Sequence, residues 1–207
     1  MKLLPGETAI PVDAPRWRDA LPAGTWPDGF ADSGKATRAD VFAIADRWRA
    51  RAVPATQLAT AALAWGFGVR GYGPFRTGRV LAQDPAGTRF AGALANLRAD
   101  EVTPDALVDA YGRFHTSHRM RGLGPAFFTK ILYFAGYRRD RSGPQPLILD
   151  SVVARRLPED AGPARKYAHG WTSSTWHAYL LWAAREATRP EFANQPDHVE
   201  ISLFTGS

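Results

Sequence analysis

Residues 121 to 157 read RGLGPAFFTKILYFAGYRRDRSGPQPLILDSVVARRL, and the fold follows from how this stretch is parsed. Gly122 and Gly124 bracket one residue in a tight turn, and Pro125 stands at the first helical position, where its missing N–H costs nothing. The turn launches a helix over roughly 125 to 136. Ala126, Phe127, Phe128, Ile131, Leu132, Phe134 and Ala135 make that helix apolar nearly all round, the mark of a buried helix. A single charged residue, Lys130, stands inside it.

An ammonium moved out of water without a partner is so unfavourable that the group gives up its proton instead, and a neutral amine is a nucleophile. The chain carries 26 Lys and Arg residues, of which only Lys2, Lys35, Lys130 and Lys166 are lysine. Arginine neither deprotonates nor forms a Schiff base, whereas lysine does both, so Lys130 reads as chosen for chemistry. The plainer reading is a lysine snorkelling from a half-buried helix. Further on, LILD places three apolar residues before Asp150, which is positioned to cap a helix over 151 to 157. For Asp150 taken alone, a plain N-cap is the competing reading.

Outward from this centre the chain reads as helices. Residues 1 to 34, with five prolines and a similar number of glycines, are expected to wrap the core in extended form, anchored by Trp17 and Trp26. Thr37 and Asp40 form a capping box before Val41, Ile44, Ala45 and Trp48 at helical spacing. A second helix follows Pro54. Residues 65 to 81, WGFGVRGYGPFRTGRVL, read as a glycine-rich loop of aromatics and arginines, either an interhelical connection or a segment meeting DNA. In the second case Arg70 and Arg76 contact phosphates and an aromatic stacks on a base or wedges into the duplex. Helices are expected over 88 to 99 and 103 to 119, and the latter with 125 to 136 makes a helical hairpin. Its turn and the start of its second helix point backbone N–H groups outward, a ready site for a phosphate, with His115, His118, Arg119 and Arg121 at the approach. After the polar loop 137 to 146, Thr172 caps a long final helix with Trp176, Tyr179, Leu180 and Trp182 along it, and PDHVEISLF docks back as a short helix or edge.

A hydrophobic content of 45% with seven Trp excludes a disordered chain, and the length of 207 residues suits one domain or two small lobes sharing a core. Cysteine is absent, which removes disulfides, thiolate nucleophiles and Cys-held metals. No apolar run reaches the length of a membrane span, about eighteen residues, and Pro5 and Gly6 interrupt the start before a secretory core could form. A soluble, cytoplasmic protein is expected, nucleoid-associated if bacterial. The formal net charge of +6, carried by arginine, points to a polyanionic partner.

A glycine-rich hairpin, a lysine in its second helix and the segment ILDxxVxRxL at 148 to 157 resemble the helix-hairpin-helix DNA glycosylases. In the commonest lysine-bearing members the nucleophile is the second residue after the hairpin's second glycine, here Ala126; Lys130 lies one turn on, sharing a face with Ala126, Tyr133 and Tyr137. A lysine displaced in this way, within FFTKILYF, is similar to the archaeal 8-oxoguanine glycosylase branch and to small bacterial proteins with an 8-oxoguanine glycosylase fold. The motifs cover about 100 to 185. One branch of the superfamily holds an iron–sulfur cluster on four cysteines, which this chain cannot do.

The resemblance implies a mainly α, two-lobed helix-hairpin-helix glycosylase fold with little or no sheet. The chain is expected to be a single globular unit over 1 to 207: a wrapping segment at 1 to 34, a first helical lobe at 35 to 100, hairpin and aspartate segment at 101 to 157, and a C-terminal helix and tail at 158 to 207. It implies excision of an oxidised purine, 8-oxoguanine, from double-stranded DNA after base flipping. Lys130 would attack the sugar, Asp150 would stabilise its developing positive charge, and β-elimination would follow. Gly122, Gly124, Arg119, Arg121, Arg70 and Arg76 are the expected DNA contacts; Trp65, Phe67, Trp171 and Trp176 are candidates to sandwich the flipped base. No cofactor or metal is expected, and the protein is expected to be a monomer that does not engage membranes. Two other readings stay open: a monofunctional glycosylase in which Asp150 works with water, and a non-catalytic hairpin that only grips DNA.

Overall fold

The computed structural model describes residues 9–68, 71–162 and 170–206. Ten α-helices and one two-stranded antiparallel sheet are formed among them. The sheet pairs β1 (Ile10–Pro11) with β2 (Lys35–Ala36), Ile10 opposite Ala36, and closes the N-terminal segment on itself. Between them lies α1 (Ala14–Ala20), capped by Asp13 with Pro15 in its first turn. That helix sits in the stretch expected to be extended throughout, because an Asp cap and an early proline support about two turns of helix even in a proline-rich context. Trp17 is buried and Trp26 half-buried, 6.3 Å apart between ring centroids, so both anchor the wrap.

α2 (Arg38–Arg49) opens on the full capping box: Thr37 accepts from the Asp40 amide and Asp40 accepts from the Thr37 amide. α3 (Ala55–Phe67) follows Pro54 and is buried on most of its surface. The stretch 65 to 81 is not a loop. After the end of α3, Gly73–Leu81 forms α4, since Pro74 at its start and the apolar Val80 and Leu81 outweigh the cost of Gly73 and Gly78. Gly78 belongs there for packing, as a Cβ would lie 2.2 Å from the Ala20 carbonyl oxygen of α1. Thr88–Ala93 is α5, continued by a 3-10 turn, Ala95–Arg98, in place of one helix over 88 to 99.

α6 (Pro104–His115) ends four residues before the expected 119, because Thr116 leaves helical geometry at φ −118°, ψ −100°. α7 (Pro125–Gly136) runs through the centre of the molecule against α2, α3 and α6, and every residue from Phe128 to Gly136 is buried. Burial of a side chain such as Phe128, Ile131, Leu132 or Phe134 is worth about 1.5–3 kcal/mol, so together they outweigh the few kcal/mol spent on carrying Lys130 inside. Asp150 caps α8 (Ser151–Arg156), Thr172 caps α9 (Ser173–Glu186), and the tail folds as α10 (Pro196–Thr205), packed on α8 and α9. The fold is mainly α.

Candidate active site

α7 and the cap of α8 bring two side chains together. Lys130 Nζ donates to Asp150 Oδ2 at 3.0 Å and to the Ala126 carbonyl oxygen, one turn earlier, at 3.0 Å. The two side chains are 8% and 17% exposed, so the ion pair is almost enclosed. The amine therefore has partners, unlike the isolated buried lysine that the apolar helix suggests. Asp150 is held on its other side: Oδ1 accepts from the amides of Val152 and Val153 at 3.0 and 3.2 Å. Burial by itself would raise the Asp150 carboxyl, but the Lys130 charge and hydrogen bond and the amides of Val153 and Val152 outweigh it and hold the carboxyl below its usual value.

Behind the pair, α10 inserts two acidic side chains that nothing in the sequence distinguishes from surface charges. Glu200 Oε2 is 2.8 Å from Arg38 Nη2, with both side chains buried. The Arg38 guanidinium lies between the rings of Trp65 and Tyr133, 5.1 Å from each centroid. Burial opposes its charge, yet Glu200 and Tyr133 more than compensate, and its pKa is raised. Asp197 accepts from the hydroxyls of Tyr133 and Tyr137 at 2.9 and 2.8 Å and from Arg139 at 2.9 Å. Tyr133 and Tyr137, expected on the face of Lys130, thus tie α7 to α10.

The turn between α6 and α7 faces outward. Gly122 has φ +91°, a left-handed conformation that favours glycine, whereas Gly124 is the extended N-cap of α7. Among the described residues the amides of Gly122, Gly124 and Ala126 have no acceptor, and they open beside the exposed Arg119 and Arg121. Arg76 is committed elsewhere in part: Nε and Nη2 donate to the Gly122 carbonyl oxygen at 3.0 and 2.7 Å, and its guanidinium lies 4.5 Å from the centre of the Phe127 ring. Arg70 lies outside the described residues. Burial holds the His115 ring below its usual pKa, against a hydrogen bond to the Trp171 backbone and with help from the Arg119 charge.

The four aromatic candidates separate. Trp65 is half-buried, set edge-on to Phe134 at 5.3 Å, and its indole N–H is enclosed with no acceptor among the described residues. Phe67 is buried, stacked on Phe127 at 4.5 Å with Trp17 at 6.3 Å. Trp171 and Trp176 are built into the core; Trp176 stacks on Tyr111 at 5.0 Å and donates to the Leu147 carbonyl oxygen at 2.9 Å. Among the described residues Tyr72 and Phe75, at the start of α4, are the large rings most exposed to solvent, 58% and 55%, and they pack against each other at 5.5 Å.

A cavity of about 370 Å³ lies at the far end of α7, lined by Asp100, Thr103, Arg138 and Gln145 among others. Lys130 and Asp150 are not in its wall, and Arg138 spends its donors on the carbonyls of Ala135, Tyr137, Leu97 and Ala99, so that region is a fastening for the loop 137 to 146. Among the described residues no three His, Asp or Glu side chains are grouped to hold a metal ion, and no helix is long and apolar enough to cross a membrane.

A family model described as "Putative 8-oxoguanine DNA glycosylase OGG-like protein" matches residues 4–204. The chain belongs to that family. Membership in the OGG-like family supports DNA glycosylase activity, with DNA as the substrate and DNA repair as the setting. The match extends through the first hundred residues, where the motifs alone were only compatible with the resemblance, and it includes both Lys130 and Asp150. Neither the curated proteins nor the solved structures yield a match to this OGG-like chain.

Proposed function

We propose that this protein excises an oxidised purine, 8-oxoguanine, from duplex DNA, with Lys130 as nucleophile and Asp150 as its proton acceptor and electrostatic partner. The observation that carries the reading is the enclosed contact of 3.0 Å between Lys130 Nζ and Asp150 Oδ2 at a helix N-cap, beside an outward-facing turn suited to a phosphate. The α6–turn–α7 unit acts as a helix-hairpin-helix: the free amides of Gly122, Gly124 and Ala126 hold one backbone phosphate, and Arg119 and Arg121 add charge. Tyr72 and Phe75 are placed to fill the gap in the duplex when a base is extruded, a step that costs a few kcal/mol. Trp65, half-buried, is the candidate to stack on the flipped base.

The chemistry begins when Lys130 passes a proton along its hydrogen bond to Asp150 Oδ2. The neutral amine attacks C1′ as the C1′–N9 bond breaks; the electron pair leaves on N9, which takes up the proton that Asp150 received, so that Asp150 is a carboxylate again. Asp150 lies beside the developing positive charge on the sugar, where a fixed charge in an enclosed site is worth most. The attached nitrogen then gives one proton, by way of Asp150, to O4′ as the C1′–O4′ bond breaks, which opens the ring and leaves a protonated imine between Lys130 and C1′; loss of a C2′ proton expels the 3′ phosphate by β-elimination.

The same ion pair supports a second reading, in which Lys130 remains an ammonium that only holds Asp150 in place and water attacks C1′. The test is incubation with duplexes each carrying one lesion, scoring base release and strand nicking separately, with borohydride present in a parallel set. Release with nicking and a covalent adduct is expected on 8-oxoguanine, and the adduct should vanish in Lys130→Gln. Release without an adduct would move the assignment to the water route. Binding with no release from any lesion would leave only a DNA-gripping hairpin.

A further inference from the structure

Two uncharged residues, Gly66 and Thr129, flank the ion pair. Gly66 lies in the last turn of α3 with ordinary helical backbone, so glycine's conformational freedom is not what the position requires. What requires it is close approach: a Cβ there would lie 2.5 Å from Lys130 Cδ and 3.0 Å from Cε. Real Cβ atoms do not come so near, and Cδ is no free end, because Nζ two atoms on is held by the Ala126 carbonyl and by Asp150. The lysine stem crosses α3 through a gap that any side chain would close.

Thr129 acts from the other side. Its hydroxyl donates to the Pro125 carbonyl oxygen at 2.7 Å and accepts from the Leu149 amide at 3.1 Å. Thr129 and Leu149 are the chain neighbours of Lys130 and Asp150, so this bond fixes the register between the middle of α7 and the segment that ends in the aspartate. Thr129 is wholly buried, and without its oxygen the Leu149 amide would lose that acceptor inside the core.

We propose that Gly66 and Thr129 are positioning residues for the Lys130–Asp150 pair: the first leaves the channel for the lysine stem, and the second sets the aspartate's distance from it. The catalytic consequence rests on the glycosylase reading above; the geometric one does not. Gly66→Ala should push the lysine stem off α3. Thr129→Val, of nearly equal shape, should let the 147 to 150 segment slide, and Thr129→Ser should restore it.

The test has two arms on the full chain. In the first, amine acetylation is followed by peptide mass spectrometry, with the exposed Lys35 as internal reference. Lys130 is expected to be protected in the wild type and to label about tenfold faster in Gly66→Ala and in Thr129→Val, but not in Thr129→Ser. In the second, single-turnover base release and borohydride trapping on the best lesion duplex are expected to fall about a hundredfold in Gly66→Ala and Thr129→Val, the scale of an ångström misplacement. Duplex Kd should change by less than about twofold, since neither residue belongs to the DNA-facing turn.

Unchanged Lys130 labelling in Gly66→Ala overturns the channel, and unchanged labelling and release in Thr129→Val overturn the register bond. Should Gly66→Ala fail to fold, the valine and serine pair at Thr129 decides by itself. Altered labelling with undiminished release overturns the positioning role. A wild type that releases no base sinks the glycosylase reading, and the labelling arm still judges the geometry.

Discussion

Asp150→Asn removes one charge from the site while leaving its shape. Asn caps helices as well as Asp does, so its carboxamide oxygen can still accept from the Val152 and Val153 amides, now at 3.0 and 3.2 Å from Oδ1. Its NH2 group then faces the Lys130 ammonium, donor against donor. The variant gives up a hydrogen bond between charged groups, worth about 1.5–3 kcal/mol. The loss stays below the roughly 3–5 kcal/mol typical of breaking a fully buried pair, because the Asp150 side chain is 17% exposed and water can reach it. A destabilisation of about 2–3 kcal/mol is expected, and at this chain length it lowers Tm by about 5–10 °C.

Urea unfolding of the wild type, Asp150→Asn, Lys130→Met and the double variant closes a cycle whose coupling energy should be about 2 kcal/mol. Its pH dependence follows from the lowered Asp150 carboxyl. That stabilisation is complete above the unfolded carboxyl's pKa of about 4 and disappears as pH falls through the lower folded value. Wild type and Asp150→Asn should therefore converge in strongly acidic solution. Single-variant losses that simply add, within about 0.5 kcal/mol, would show that the two side chains share no bond and would remove the basis of the site.

Lys130→Gln should abolish borohydride trapping while duplex affinity, read by fluorescence anisotropy, changes only a few-fold; persistent trapping at wild-type yield would assign the nucleophile elsewhere. Replacing Arg119 and Arg121 with alanine should weaken binding to all duplexes alike and reduce the slope of log K against log salt by about 0.9 for each phosphate no longer neutralised. Thr37→Ala breaks the capping box of α2 and should cost about 1 kcal/mol by chemical denaturation. Trp176→Phe strands the buried Leu147 carbonyl and empties part of the space beside Tyr111, and a loss of about 2–3 kcal/mol is expected from the same measurement.

What could be read from the sequence was whatever local rules govern. A proline after a glycine turn and an all-round apolar pattern place α7 to the residue, and Asp150, Thr37 and Thr172 announce the helices they cap. Where tertiary packing overrides composition the reading fails: five glycines between 65 and 81 spoke for a loop, but Gly73 and Gly78 are helical positions chosen for close approach to Phe67 and Ala20. The candidate pair could be named because lysine is rare and oddly placed, yet its ion-paired state could not, since that depends on a residue twenty positions away. Arg38, Asp197 and Glu200 carried no signal at all. Each stands in the first turn or so of an amphipathic helix, where a charge is ordinarily solvated, and only the pairing of α2 and α7 with α10 turns them inward.

The bond between Arg38 and Glu200 also bears on how the protein is made. Its two ends lie in the second and the tenth helices, so a nascent chain carries the guanidinium long before its carboxylate has been translated. Tyr133 and Tyr137 wait in the same way for Asp197. Until Asp197 and Glu200 have been added, the centre of the molecule holds a cation that cannot be buried at acceptable cost. Closure of the core thereby waits for α10, and a chain cut short before Pro196 holds the lysine and aspartate without a finished interior for them to sit in.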